Sequence, residues 1–297
     1  MALDLSVTSF ARYLGSTRPE NTVDAYSRGA RLFAAYVQES RMDVRRTPGV
    51  LMFFAPWLLH QRKLAPSSVR LMISGTRKYL EWRRGMGDNL PVFAKPDLPR
   101  PKKMPPIILQ DAALQVYRRI VETAREPTRT AMLLFPLTGL RSTELCTIRL
   151  DQIRRDNEDP DGKRMVLVGI EGKSKEDRDV AVLDPGSLFL YGYLMGWRRT
   201  IEGSPWLFPS IRDAQKAYAG RTLRKKMGQA RAAVGVPKLT THVLRRTWTT
   251  RLVKHGIPME EVAQLAGHQS INTTYQYYVG REPVGALAAK VQDVKIF

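Results

Sequence analysis

Residues 91–106 read PVFAKPDLPRPKKMPP and hold six prolines. A proline lacks a backbone N–H and fixes its own φ, so neither a helix nor an interior strand runs through such a segment. The stretch is predicted to be a semi-rigid extended connector. It separates what folds before it from what folds after it. A chain of 297 residues is long for one core and comfortable for two. The expected organisation is a folded unit over residues 1–99, a Pro/Lys-rich linker over 100–106 and a second unit over 107–297. The apolar share, 43%, is that of an ordinary globular chain, so disorder is not the default.

The first unit reads as helices. Val23, Tyr26, Ala30, Phe33 and Val37 recur at steps of three and four, which places them on one helical face. Residues 50–61 carry Phe53, Phe54, Trp57 and Leu58, and Pro56 inside them should kink or delay that helix. Pro66, Ser67 and Ser68 make a helix entry. The helix should run to Arg84, where Gly85 and Gly87 end it.

In the second unit, Asp111 can cap a helix reaching about Ala124. Residues 128–137 form another, ending at Thr138 and Gly139, and helical spacing resumes over 141–148. Residues 157–162 are turn-rich. Residues 163–170 (KRMVLVGI) and 179–183 (DVAVL) are β-prone and joined by a short polar stretch, so they read as a hairpin. Helical stretches follow at 187–200, 213–234, 241–255, 259–266 and about 270–278. The fold class is thus mainly α with a small antiparallel β-sheet: a helical N-terminal domain followed by an α+β domain.

Lys and Arg outnumber Asp and Glu by 48 to 28, a net charge of +20. Such an excess attracts a polyanion and makes binding salt-dependent, which points to nucleic acid. No stretch approaches the ~20 apolar residues of a spanning helix, so a membrane is not expected as partner. The N-terminus does not read as a signal peptide. The single Cys146 can form neither an intramolecular disulfide nor a multi-cysteine zinc site. A reducing cytoplasm fits.

Five side chains suggest the chemistry: Arg141, then His242 and Arg245, then His268, then Tyr277. Two guanidiniums, two imidazoles and a phenol suffice to break a phosphodiester without a metal. A tyrosine hydroxyl has a pKa near 10 and needs help to act as a nucleophile. Its product is a phosphotyrosine ester that keeps the energy of the broken bond, so religation requires no ATP. The planar arginine fork matches two non-bridging phosphate oxygens. Two such forks offset the charge that builds in a pentacoordinate transition state. A histidine can shuttle the proton, and a lysine on a turn can protonate the leaving oxygen. His242 and Arg245, three apart, share a face near the positive end of their helix, where a phosphate is favoured. Thr240 or Thr241 can cap that helix. Arg246 is rotated roughly 100° away and reads as a flanking or DNA-backbone contact. Lys102 and Lys103 in the linker could track phosphates. His60 and His255 fall outside this set, and Trp206, Phe208 and Trp248 read as core.

These residues lie in segments that resemble the tyrosine recombinase family, which includes phage integrases and the Xer and Cre recombinases. TGLRSTEL (138–145) resembles the family's first box, with Arg141 as its first arginine and Glu144 as its supporting acid. THVLRRTWTTRL (241–252) resembles the second and contributes His242 and Arg245. LAGHQSINTTYQYY (265–278) resembles the third and contributes His268 and Tyr277. The nine-residue interval selects Tyr277 over Tyr275 and Tyr278. GKSKEDR (172–178) is similar to the family's hairpin turn. Lys173 aligns with its lysine, and Lys175 is the alternate because the turn varies in length. The N-terminal half loosely resembles the family's core-binding domain. The chain departs from the pattern at Arg246, where many relatives carry His, and at Ala266 before Gly267 and His268.

The resemblance implies a site-specific recombinase that clamps double-stranded DNA between two domains. Tyr277 would form a 3′-phosphotyrosine, Arg141, Arg245 and His268 would hold the phosphate, His242 would assist proton transfer and Lys173 would protonate the 5′-oxygen. A second round would resolve a Holliday junction. No metal, nucleotide or organic cofactor is implied. A dimer on one site and a tetramer on two are expected, with the tail after Tyr277 able to dock on a neighbouring subunit. Two other uses of the sequence are a type IB topoisomerase-like nicking and closing enzyme, and a DNA-binding relative without activity.

Overall fold

The computed structural model describes residues 7–98, 107–156, 159, 164–172, 177–236, 239–268, 270–272 and 275. The chain divides into two compact units, Met1–Met104 and Pro105–Phe297.

In the first unit, α1 (Val7–Gly15), α2 (Glu20–Ser40), α3 (Val50–Pro56) and α4 (Pro66–Gly85) surround one core that includes Phe10, Phe33, Phe54, Leu58, Ile73 and Tyr79. The apolar spacing read from residues 23–37 gives α2 its inward face. Close passage of α2 and α4 depends on two glycines. A Cβ at Gly29 would lie 2.5 Å from the Met72 carbonyl oxygen, and one at Gly75 would lie 2.6 Å from the Tyr26 Cα. The Thr76 hydroxyl crosses the same contact to donate to the Gly29 carbonyl at 3.0 Å. Pro56 marks a change of helix type. It cannot donate an N–H to the preceding turn, and the chain continues as a wider π-helical turn over Trp57–Gln61. Pro66 opens α4 as expected, and Met86 with left-handed Gly87 closes it. The run that follows is extended, and Leu90 and Leu98 lie on the core. Residues 99–106, with Lys102 and Lys103, fall outside the described residues.

The second unit is built on α6 (Thr128–Thr138), whose Ala131 to Phe135 are all buried. Around it pack α5 (Asp111–Glu122), α8 (Gly186–Met195), α9 (Gly220–Val234) and α10 (Thr241–Lys254). Between α6 and the sheet lies the short α7 (Ser142–Cys146), and α11 (Met259–Ala266) follows α10. Three strands, β1 (Ile153–Arg155), β2 (Met165–Glu171) and β3 (Asp177–Ala181), form an antiparallel sheet in that order. Ile153 pairs with Leu167 and Val166 with Ala181. Left-handed Gly169 sits where the β2–β3 register shifts, and the Asp179 carboxylate accepts from its N–H at 2.9 Å.

The mainly helical fold with a small sheet is as the sequence implied, with four differences. The helix expected over 187–200 stops at Met195, and after Gly196 a separate 3-10 turn covers Trp197–Thr200. The helix expected over 213–234 begins only at Gly220. Asp213 instead accepts from the Gln215 N–H, and Ser210 and Lys216 pair across a tight reversal. A side-chain acceptor competing for local N–H groups favours a turn over a helix. Asp111 does not cap α5. The N-cap is Gln110, and the Asp111 carboxylate pairs with Arg251 of α10. Finally, β1 carries no readable alternation in three residues, and its pairing with β2 is what makes it a strand. Phe208 and Trp248 are core, Trp206 is half-buried, and His60 and His255 are exposed. No described helix is long and apolar enough to cross a membrane.

Candidate active site

Gly139 ends α6 with φ of 63°. An added Cβ there would lie 2.3 Å from the Trp248 ring, so α10 packs directly on this turn. The turn delivers Arg141 to the N-cap of α7, where its backbone N–H donates to Glu144 Oε2 at 2.8 Å. The guanidinium of Arg141 binds the other carboxylate oxygen. At the Arg-x-x-Glu spacing the Glu144 carboxylate thus accepts from both the backbone and the side chain of Arg141, which closes the α7 entry and orients the arginine.

Arg245 comes from α10, whose first turn is capped by the Thr240 hydroxyl accepting from the Val243 N–H at 3.3 Å. Its side chain is only 4% exposed. Nη1 donates to the Gly139 carbonyl at 2.6 Å, and Nη2 donates to the Ala266 carbonyl. Nη1 also lies 3.8 Å from Glu144 Oε2.

The last turn of α11 completes the cluster. Gly267, left-handed at φ 63°, turns the chain so that His268 leaves the helix. Three successive carbonyls at this helix end face three guanidiniums. Leu265 accepts from Arg178 at 2.9 Å, Ala266 from Arg245, and Gly267 from Arg141 at 2.9 Å. These carbonyls lack intrahelical partners and carry the negative end of the helix dipole, so cations there are favoured. Arg178 Nη2 also binds Glu144 Oε2 at 2.9 Å. One buried carboxylate therefore faces three guanidiniums, an arrangement with a surplus of positive charge even before any ligand arrives.

Burial and that surplus together set the protonation states. Burial pushes the Glu144 carboxyl up, but the bonds from Arg178 and Arg141 outweigh it and hold the group below the usual carboxylate range. Burial and then the charges of Arg245, Arg141 and Arg178 lower the His268 imidazole to about 4. His242, which retains solvent contact, is lowered too, by partial burial and by Arg245, Arg246, Arg141 and Arg224. Both rings are neutral at pH 7, able to donate a hydrogen bond at one nitrogen and accept a proton at the other. The site can thus bind an anionic oxygen by fixed donors and move a proton beside it. Among the described residues no three His, Cys, Asp or Glu side chains gather as metal ligands.

The structure brings together Arg141, Glu144 and Arg245 and sets His268 at the adjoining helix end. His242 is three residues before Arg245 in α10, and Arg246 is half-buried next to it. Lys173, Lys175, Tyr277, Tyr278 and the tail beyond lie outside the described residues, as does most of the 157–162 turn. Tyr275 is 55% exposed. Sequence reasoning missed two residues. Arg178 stands two positions before Val180 on β3, and alternation puts it on the same inward side as that core valine. Its place inside GKSKEDR was visible; its carboxylate partner 34 residues earlier was not. Arg224, on α9, approaches Ser142 Oγ at 3.5 Å, and its charge reaches His242.

Residues 111–283 match the profile of the Phage integrase family. The chain is 24% identical to Tyrosine recombinase XerA of Pyrococcus furiosus over 270 residues, covering 90% of this chain and 87% of that one. It is 27% identical to Tyrosine recombinase XerD of Lacticaseibacillus casei over 282 residues, covering 91% and 92%. Among solved structures, XerH recombinase bound to palindromic difH substrate in a post-cleavage complex aligns with a TM-score of 0.72 at 15% identity, covering 98% of this chain and 85% of that one. A lambda integrase dimer bound to a COC′ core site aligns with a TM-score of 0.69 at 18% identity, covering 98% and 79%.

Proposed function

The chain belongs to the phage integrase family, and on that premise we propose that it cuts and rejoins duplex DNA at specific sites through a 3′-phosphotyrosine on Tyr277. The observation that carries this reading is the convergence of Arg141 and Arg245, over a hundred residues apart, on one carboxylate and one helix end beside His268. Two forks held in place by protein acceptors are already oriented when charge develops, which is what stabilises a phosphoryl transition state.

In this mechanism a scissile phosphate displaces part of the carbonyl and carboxylate environment of Arg141 and Arg245. The two guanidiniums then donate to two non-bridging oxygens, and neutral His268 donates a third hydrogen bond. The Tyr277 hydroxyl attacks phosphorus and forms the Tyr–O–P bond while its proton passes to neutral His242 or to water. The P–O bond to the 5′-oxygen breaks, and Lys173, with Lys175 as alternate, protonates that oxygen. Attack of a partner 5′-hydroxyl on the phosphotyrosine reverses these steps, and a second round resolves a Holliday junction. The N-terminal unit would serve as a core-binding domain, with Lys102, Lys103 and Arg246 on phosphates. The active assembly would be a tetramer on two sites and a dimer on one.

The test begins by sequencing the DNA junctions made by the protein, which supplies the target. A nicked suicide duplex of that sequence should trap a covalent protein–DNA adduct that survives denaturing electrophoresis. Tyr277→Phe should abolish the band. If the band persists in that variant, the nucleophile moves to Tyr275 or Tyr278. If wild-type protein relaxes supercoils at any sequence and never synapses two sites, a topoisomerase-like activity replaces recombination.

A further inference from the structure

We infer that Arg178 is a positioning residue for this cleavage, bridging the Glu144 carboxylate to the Leu265 carbonyl so that the Arg141 turn and the His268 loop are fixed together. The inference rests on the reading of the site as a phosphodiester cleavage centre. Arg178 holds Glu144 Oε2 at 2.9 Å and Oε1 at 3.5 Å, and its Nε holds the Leu265 carbonyl at 2.9 Å. Its side chain is 9% exposed. Gly267 packs flat on it, because a Cβ there would stand 2.8 Å from Nη1.

The fork of Arg178 is thus engaged by protein on both sides and buried, unlike Arg141, whose side chain is 25% exposed. Its effect on a phosphate is indirect. Glu144 would otherwise draw on Arg245, whose Nη1 stands 3.8 Å away. A carboxylate satisfied by Arg178 leaves Arg245 directed at carbonyls that a phosphate can replace. A carboxylate deprived of Arg178 competes with the substrate for both other arginines. The same loss frees the Leu265 end of α11 and, three residues on, His268. Loss of Arg178 should therefore slow chemistry more than it weakens DNA binding.

The test uses the full chain and the nicked suicide duplex described above. Arg178→Met should slow adduct formation about 10–100-fold, the range of one or two lost charge-assisted hydrogen bonds. The dissociation constant for intact duplex should change less than about threefold. Arg178→Lys should recover part of the rate, since an ammonium restores the charge but not the fork. Arg178→Met combined with Glu144→Gln should be no slower than the slower single variant. A wild-type rate for Arg178→Met, a parallel loss of affinity, or fully additive defects would each overturn the assignment.

If wild-type protein forms no adduct, the cleavage reading itself fails. The positioning role is then decided without DNA, by NMR titration of His268, which faces Arg245, Arg141, Arg178 and Glu144. Its pKa should rise in Arg178→Met and stay close to wild type in Arg178→Lys. An unmoved titration in Arg178→Met would sink the proposal.

Discussion

At the scale of the residue, Glu144 and His268 show opposite consequences of one positive field. Glu144 is buried yet ionised because arginines surround it; His268 is half-buried and neutral through that burial and the same arginine charges. The sign of the pH dependence follows. An unfolded histidine titrates near 6.5, whereas the folded ring takes its proton only at about 4. Between those values the unfolded chain binds a proton that the folded one refuses, so stability falls as pH drops through that window. His242 is lowered as well and adds to the same trend. Thermal unfolding followed from pH 7 to pH 4.5 should show a falling midpoint, with a shallower fall in His268→Asn. Equal slopes would mean that His268 is not depressed. Glu144 contributes only at lower pH still, because its stabilisation is lost as pH falls through its lowered folded value.

At the scale of the element, the helix crossings depend on what is missing from a side chain. Gly29 and Gly75 let α2 and α4 approach backbone to backbone. Unlike a flexible side-chain tip, the Tyr26 main chain cannot swing away from an added methyl. Gly75→Ala should therefore cost about 1–3 kcal/mol, the range of overpacked cores. Amide exchange in α2 and α4 should speed up accordingly, while α10 amides keep their protection. Unchanged exchange in α2 would show that the helices separate freely. The glycines were legible in the sequence only as breaks in helix propensity; their role appears when the two helices cross. The helix starts at Pro66 and Thr240 were legible directly, because a cap acts within one turn. Residues 213–219 show the converse: helical periodicity continues through them in sequence, but the Asp213 carboxylate accepts from the Gln215 N–H and makes a turn.

At the scale of the whole molecule, a net charge of +20 makes DNA affinity a function of salt. For a protein that neutralises six or more phosphates, raising salt from about 50 to 200 mM lowers affinity on the order of 10³-fold. Fluorescence anisotropy with the target duplex should show that loss. A change below about tenfold would place most of the basic residues away from DNA. The proposed tetramer gives a separate prediction for the tail beyond Tyr277, where Val284, Leu287 and Val291 are apolar. Deleting residues after 282 should weaken synapsis while sparing single-site binding. Unchanged tetramer formation on DNA by sedimentation would reject docking of the tail in trans.

The sequence alone determined the family resemblance, the helical character of both halves and the identity of the paired side chains in each box. These features follow from local spacing: three residues separate Arg141 from Glu144 and His242 from Arg245, and a helix turn needs nothing more to relate them. Only the tertiary structure decided what those pairs do to one another. Arg178, Arg141 and Arg245 meet at the Leu265, Ala266 and Gly267 carbonyls because β3, α7 and α10 pack around the end of α11. No spacing in the chain encodes that meeting. A charge interacts according to distance in space, and folding alone sets the distance between residues separated by 21 to 126 positions.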